Sequence, residues 1–267
     1  MSVTIVHLTD IHFGCEDVPA VEAAVAFAHE RAPDLTLVTG DLTYNGQPVE
    51  FQAARAWLAR LPRPLVVTPG NHDTPYWNLP LRAAVPFQRY KRYVGPPARS
   101  AFDTPELSVR AVNSARGAQP RLNWSKGAMN LRECERAVEG FAVAPSQALK
   151  VFACHHPLIE AVGEPVTGDT HRGRAAAEIL AAGGADLIVT GHVHVPFAIP
   201  FAVGDERTYG VGGGTLSLRL RGTPPSFNLI TANEEAVTVV AQAWNGSQYE
   251  PYRTWSLPRR QPMQLAA

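Results

Sequence analysis

The chain has 267 residues, 45% of them apolar, and its 24 basic and 24 acidic side chains leave a formal charge of zero. That length supports a sizeable core, and the balanced charge offers no global field for nucleic acid or for an anionic membrane. No window approaches the roughly 20 unbroken apolar residues of a spanning helix, so membrane insertion is not expected.

Val3–Leu8 reads as the first strand, with neither the basic start nor the long apolar stretch of a secretory leader, and a cytoplasmic protein is expected. The run ends in Thr9-Asp10-Ile11-His12, a carboxylate and an imidazole two residues apart that can point one way from an extended strand end. Cys15 follows, the first of three widely spaced cysteines that form neither a disulfide framework nor a zinc knuckle. A helical stretch over 20–31 leads to a second apolar run, Leu35–Thr39, which ends in Gly40-Asp41. Another over 49–61 leads to Leu65–Thr68, which ends in Gly70-Asn71-His72-Asp73. Each glycine permits a sharp turn just before a polar residue. Taken singly, such dipeptides are common turns with no chemistry attached.

Pro and Gly gather over 75–99 and over 163–172, which predicts long ordered loops beside a site. Between these loops, 107–112 reads as a strand and 150–154 as a buried one, with Cys154 a small apolar group in it. The latter run ends in His155-His156-Pro157. A helix over Gly173–Ala182 and a strand over 186–190 lead to Gly191-His192-Val193-His194. Turn-linked strands over 107–112, 208–211, 227–231 and 236–243 suggest a second sheet. After Trp244 the periodicity stops, so 1–245 is read as one domain and 246–267 as a surface tail.

Six of the nine histidines, together with Asp10, Asp41 and Asn71, thus stand at the ends of five apolar runs. Carboxylate, imidazole and one amide oxygen suit divalent zinc, manganese or iron. Seven such groups could hold two ions that share one carboxylate and keep positions open for water and substrate, which is the mark of a catalytic site.

In this order the motifs Asp10-x-His12, Gly40-Asp41, Gly70-Asn71-His72-Asp73, His155 and Gly191-His192-x-His194 resemble those of the calcineurin-like metallophosphoesterase family. The resemblance implies an α/β fold, a four-layer sandwich of two mixed β-sheets flanked by helices. It implies one ion on Asp10, His12, Asp41 and His194, and another on Asp41, Asn71, His155 and His192, Asp41 being the bridge. A hydroxide between the ions would attack phosphorus in line with the leaving group. His72 would protonate the leaving oxygen or stabilise charge, and Asp73 would either orient His72 or cap a turn. His156 would lie behind the ligands or face the substrate.

The run Gly40-Asp41-Leu42-Thr43-Tyr44-Asn45-Gly46 and the His155-His156-Pro157 run resemble those of bacterial cyclic-nucleotide and glycerophosphodiester phosphodiesterases. Protein phosphatases carry an Arg-Gly pair where Asn45-Gly46 stands. A small-molecule phosphodiester is therefore the expected substrate, with a homodimer as one implied assembly and nucleic acid not expected. A phosphomonoesterase or nucleotide-lipid pyrophosphatase keeps the same metal core, and the apolar residues Trp77, Leu79 and Leu81 would suit the latter. A non-catalytic scaffold is the minor alternative.

Overall fold

The computed structural model describes residues 2–96, 100–159, 170–201 and 204–260. Parts of the two loops expected over 75–99 and 163–172, and the last part of the expected tail, lie outside these residues. The chain begins β1 (Val3–Leu8), α1 (Val18–Arg31), β2 (Leu35–Thr39), α2 (Pro48–Leu58), β3 (Leu65–Thr68), α3 (Leu79–Ala84) and α4 (Gln88–Tyr93). It continues through β4 (Ser100–Asp103), β5 (Leu107–Ala111), α5 (Leu131–Ala142), β6 (Leu149–Ala153), α6 (Gly173–Ala182), β7 (Leu187–Thr190), β8 (Phe197–Pro200) and β9 (Tyr209–Gly212). A meander of β10 (Ser226–Ala232), β11 (Ala236–Trp244) and β12 (Tyr249–Pro258) follows.

These strands form two six-stranded mixed sheets, ordered β12-β11-β10-β1-β2-β3 and β4-β5-β6-β7-β9-β8. β1, β2 and β3 run parallel, as do β5, β6, β7 and β9, while β10 lies antiparallel to β1. The sheets stack on an apolar layer that includes Ile5, Leu37, Val151 and Val189. Alternate residues face outward: Val6 and Val38 pack with Phe51 and Trp57 of α2, and Phe152 and Ile188 with Phe141 of α5 and Leu180 of α6. Burial on both faces is why these strands are unbroken apolar runs, each large side chain contributing about 1.5–3 kcal/mol.

Local signals set the helix starts. The Asp17 carboxylate accepts from Ala20 N at 3.1 Å, and Glu50 accepts from Gln47 N at 2.9 Å. The expected tail is corrected over 249–258, where β12 pairs antiparallel with β11 along its length. Among its residues only Leu257 is buried, so an edge strand left no alternating pattern to read.

Candidate metal centre

The carboxyl ends of the parallel strands meet at one edge of the two sheets, as open α/β sheets generally place their ligands. Asp10 and His12 follow β1, Asp41 follows β2, and Asn71, His72 and Asp73 follow β3. His155 and His156 follow β6, and His192 and His194 follow β7. Asp10, His12, Asp41, His192 and His194 all take positive φ, between 49° and 70°. That left-handed region costs non-glycine residues on the order of 1 kcal/mol or more each. Main-chain bonds hold them there: Asp10 N to Gly40 O and His12 N to Asp41 O, both 3.0 Å, and Gly191 N to His155 O at 2.9 Å. Gly70 lets the loops meet, since a Cβ there would lie 2.1 Å from Asp41 Oδ1.

Hydrogen bonds to carbonyls, which only accept, fix the imidazole tautomers. His155 Nδ1 stands 2.7 Å from Thr39 O, His194 Nδ1 2.8 Å from Arg219 O and His12 Nδ1 3.3 Å from Thr43 O, so each carries its proton on Nδ1. The Nε2 lone pairs of His155 and His194 therefore point at other acceptors, while that of His12 faces both His194 Nε2 and the donor Nη1 of Arg219. His194 Nε2 is 3.1 Å from Asp10 Oδ1 and 3.2 Å from His12 Nε2, and His155 Nε2 is 3.2 Å from Asp41 Oδ2. Asp10 Oδ1, Asn71 Oδ1 and His155 Nε2 are buried without a hydrogen-bond donor. Buried acceptors facing acceptors fit a cation between them, and the carbonyl-anchored Nδ1 is the usual arrangement behind a ligating histidine. Asp10, His12 and His194 offer one cluster and Asp10, Asp41 and His155 another, the ligand atoms in each within 4.8 Å of one another.

The electrostatics agree with that fit. Burial drives His192 down to about 3 and lowers His12, leaving both rings neutral and able to donate a lone pair. Burial also opposes charge on His155, but the facing Asp41 and Asp10 carboxylates outweigh it and raise His155 to about 9. The pair thus calls for positive charge between Nε2 and Asp41, which a proton or a divalent ion supplies.

His156 is wired differently from its neighbour. Its Nε2 is 2.9 Å from Ser125 O and its Nδ1 2.8 Å from Ser114 Oγ, so both nitrogens already have protein partners. His72 joins His12 and Asp41 in a third cluster, and His156 joins His155 and His192 in a fourth, but His156 has no free lone pair to give. Asp73 does not orient His72: its oxygens accept from the main-chain nitrogens of Leu42, Thr43 and Gly70 at 3.2, 2.9 and 2.9 Å. Burial, aided by Asp41, pushes its carboxyl up to about 7. The orienting partner of His72 is Tyr44, whose carbonyl lies 2.6 Å from Nδ1. The rings of Tyr44 and Tyr76 flank His72 within 10° of parallel, at centroid distances of 6.0 and 5.9 Å.

Over the centre opens a cavity of about 1120 Å³, lined by His72, His192, His194, Tyr76, Trp124 and Arg219 among others. Arg219, from the loop after β9, was not among the expected residues, and nothing in its sequence neighbourhood marks it. Of the other loop residues in the intervening segments, Asn113 Oδ1 accepts from Ala115 N in its own turn, and Arg174 is exposed and pairs with Glu178. Arg172 is also exposed, at the start of α6. Among the described residues no helix is long and apolar enough to cross a membrane.

A family model described as calcineurin-like phosphoesterase matches residues 3–196. A probable cyclic nucleotide phosphodiesterase of Synechococcus sp. is 33% identical over 84 residues, 28% of this chain and 33% of that protein. A glycerophosphodiester phosphodiesterase of Enterobacter lignolyticus is 40% identical over 79 residues, 25% of this chain and 28% of that protein. The matches thus span about a third of the length of these curated relatives. A dimetal phosphatase from Danio rerio superposes with a TM-score of 0.67 at 9% identity, over 97% of this chain and 99% of that one. A purple acid phosphatase from yellow lupin (Lupinus luteus) gives 0.64 at 14% identity, over 97% and 54%.

Proposed function

The chain belongs to the calcineurin-like phosphoesterase family, and on that premise we propose that it is a metal-dependent hydrolase of small phosphodiesters, cyclic nucleotides or similar esters. The observation that carries this reading is the set of buried ring nitrogens and carboxylate oxygens that face one another without a donor between them. Asp10, His12, Asp41 and His194 would hold one divalent ion and Asp41, Asn71, His155 and His192 a second, with manganese, iron or zinc suited to such ligands. Bound there, the ions would supply a water acidified toward neutrality and positive charge for the phosphate oxygens.

The remaining chemistry belongs to the chain itself. His72 keeps its proton on Nδ1 against the Tyr44 carbonyl and offers Nε2 to the cavity. There it would serve the leaving oxygen only with a second proton on Nε2, which burial opposes and the Asp41 carboxylate favours; so charged, the ring would donate that proton or stabilise the charge on the oxygen. The stacked tyrosines hold the ring in place, and the Asp73 carboxylate fixes the Gly70 and Leu42 backbones that set Asn71 and Asp41.

Diester preference is supported by the names of the two curated relatives and by a cavity with room for both alcohol groups of an ester. A second reading, a nucleotide-lipid pyrophosphatase or a monoesterase of amphiphilic esters, draws support from the exposed apolar Leu79 and Leu122 that line the cavity. Hydrolysis of bis-p-nitrophenyl phosphate against p-nitrophenyl phosphate, by metal-stripped protein restored with manganese, zinc or iron, separates the readings. Faster diester turnover is the expected outcome. Faster monoester turnover favours the second reading, and no turnover with any metal favours a non-catalytic scaffold.

A further inference from the structure

Arg219 reaches into the cavity from a loop that is itself tied to the strand ends. Its carbonyl accepts from His194 Nδ1 at 2.8 Å and its main-chain nitrogen donates to Ser217 Oγ at 3.2 Å. Two residues before Ser217, Thr215 Oγ1 donates to Asp10 O at 2.6 Å. The base of the arm is thus fixed by two of the ligand-bearing loops, while the side chain above it is only half-buried. Its Nη1 lies 3.1 Å from His72 Nε2 and 3.3 Å from His12 Nε2, with the guanidinium 5.4 Å from the centroid of the Tyr44 ring.

No carboxylate pairs with this guanidinium among the described residues. Arg221, two residues on, also lines the cavity and has neither an ion pair nor a hydrogen bond among them. Two further arginines on the wall are engaged elsewhere: Arg121 has a partner of its own, and Arg82 is committed to the loop opposite, with Nε on Gly117 O at 2.9 Å and Nη2 on Trp124 O at 3.3 Å. In a chain of zero net charge, two neighbouring guanidinium groups that share one cavity without counterions repel each other until an anion enters. Asp41 is the one carboxylate among the described residues lining the cavity, and a divalent ion on it would neutralise its charge and deepen that demand. The planar fork of a guanidinium matches phosphate oxygens two at a time.

We propose that Arg219 is a catalytic residue that binds a non-bridging oxygen of the phosphoryl group beside His72, with Arg221 as the second arm of the same anion site. The inference rests on the phosphoesterase reading for its substrate. Because phosphoryl transfer is driven largely by positioning and charge stabilisation, a guanidinium at this place acts on the oxygens as charge builds on them. The competing role is purely structural: the same hydrogen bond and ring contact would merely keep His72 and Tyr44 aligned.

The test compares wild-type, Arg219→Ala and Arg219→Lys proteins loaded with manganese. It reads kcat/KM on bis-p-nitrophenyl phosphate, the inhibition constant of orthophosphate, and bound metal. The expected result for Arg219→Ala is a loss of about a hundredfold in kcat/KM, with phosphate inhibition weakened by at least about tenfold and metal content unchanged. Lysine should restore only a small part, since an ammonium cannot present the fork. Unchanged phosphate affinity alongside lost turnover would overturn the proposal and leave Arg219 as a positioning residue for His72; unchanged turnover would also overturn it. If the wild-type protein turns over no ester, the phosphoesterase reading fails separately. Calorimetric binding of orthophosphate to the loaded proteins then decides the arginine: weakening in Arg219→Ala supports the anion site and equal affinity refutes it.

Discussion

A methyl group at Gly191 would stand 2.0 Å from Thr9 Oγ1 and 2.4 Å from Asp10 Oδ2. That carboxylate oxygen already accepts from Thr9 Oγ1 at 2.7 Å and from His192 N at 2.9 Å, so it has no direction in which to retreat. Gly191→Ala should therefore turn Asp10 away from His194 and weaken metal binding by about tenfold to a hundredfold, measured by titration of metal into stripped protein. Retention of wild-type affinity would mean that the loops give way instead. His155 and His156 supply a second comparison. His155→Ala removes a ring nitrogen that has no protein donor, so bound metal should fall. His156→Ala should keep the metal but strand Ser114 Oγ and the Ser125 carbonyl, at a cost of about 1–3 kcal/mol. Denaturant melts and metal analysis of the two variants check this pairing, and the reverse pattern would reassign the ligand.

At the scale of elements, β12 carries consequences for its neighbour. It covers β11, whose Val237, Val239 and Ala241 are buried, and Tyr249 at its start donates to Ala20 O at 2.8 Å. Ending the chain at Trp244 should bare the β11 edge and produce self-association or insolubility, visible by size exclusion and thermal melting; a monomer with an unchanged melting point would show β12 to be dispensable. The buried strands were legible in the sequence because apolar side chains on both faces leave continuous runs, and the site was legible because its polar residues break those runs at their ends. β12 was not, since its outer positions answer to solvent. The helix α5 is also absent from the expected elements, although Cys134, Ala137 and Phe141 mark its buried face at helical spacing. Arg219 had no sequence signal, because its place in the cavity depends on loops from both sheets coming together. Asp73 was seen as polar and near His72, but only the folded loops show its carboxylate turned to three main-chain nitrogens.

For the whole molecule, the site is also a seam. His155 of one sheet binds the Thr39 carbonyl of the other, His192 N reaches Asp10 Oδ2, and far from the site Tyr209 donates to Pro258 O at 2.8 Å. Ions shared by Asp41 and the histidines would bind the folded arrangement and not the unfolded chain, so saturation at about a hundredfold over Kd should add about 2.7 kcal/mol and raise Tm by about 5–10 °C. Differential scanning calorimetry with and without a chelator measures this, and an unchanged Tm would indicate that the acceptors are satisfied some other way. The pairing of β1 has a further effect, on the order in which the protein can be made. One of its edges meets β2 soon afterwards in the chain, but on the other Val3 pairs with Ala232. At ordinary ribosomal speeds that partner arrives on the order of ten seconds or more later. During that interval the nascent chain carries an open strand edge, and the Asp10 loop likewise has to wait for the late-arriving Thr215 before its carbonyl is held.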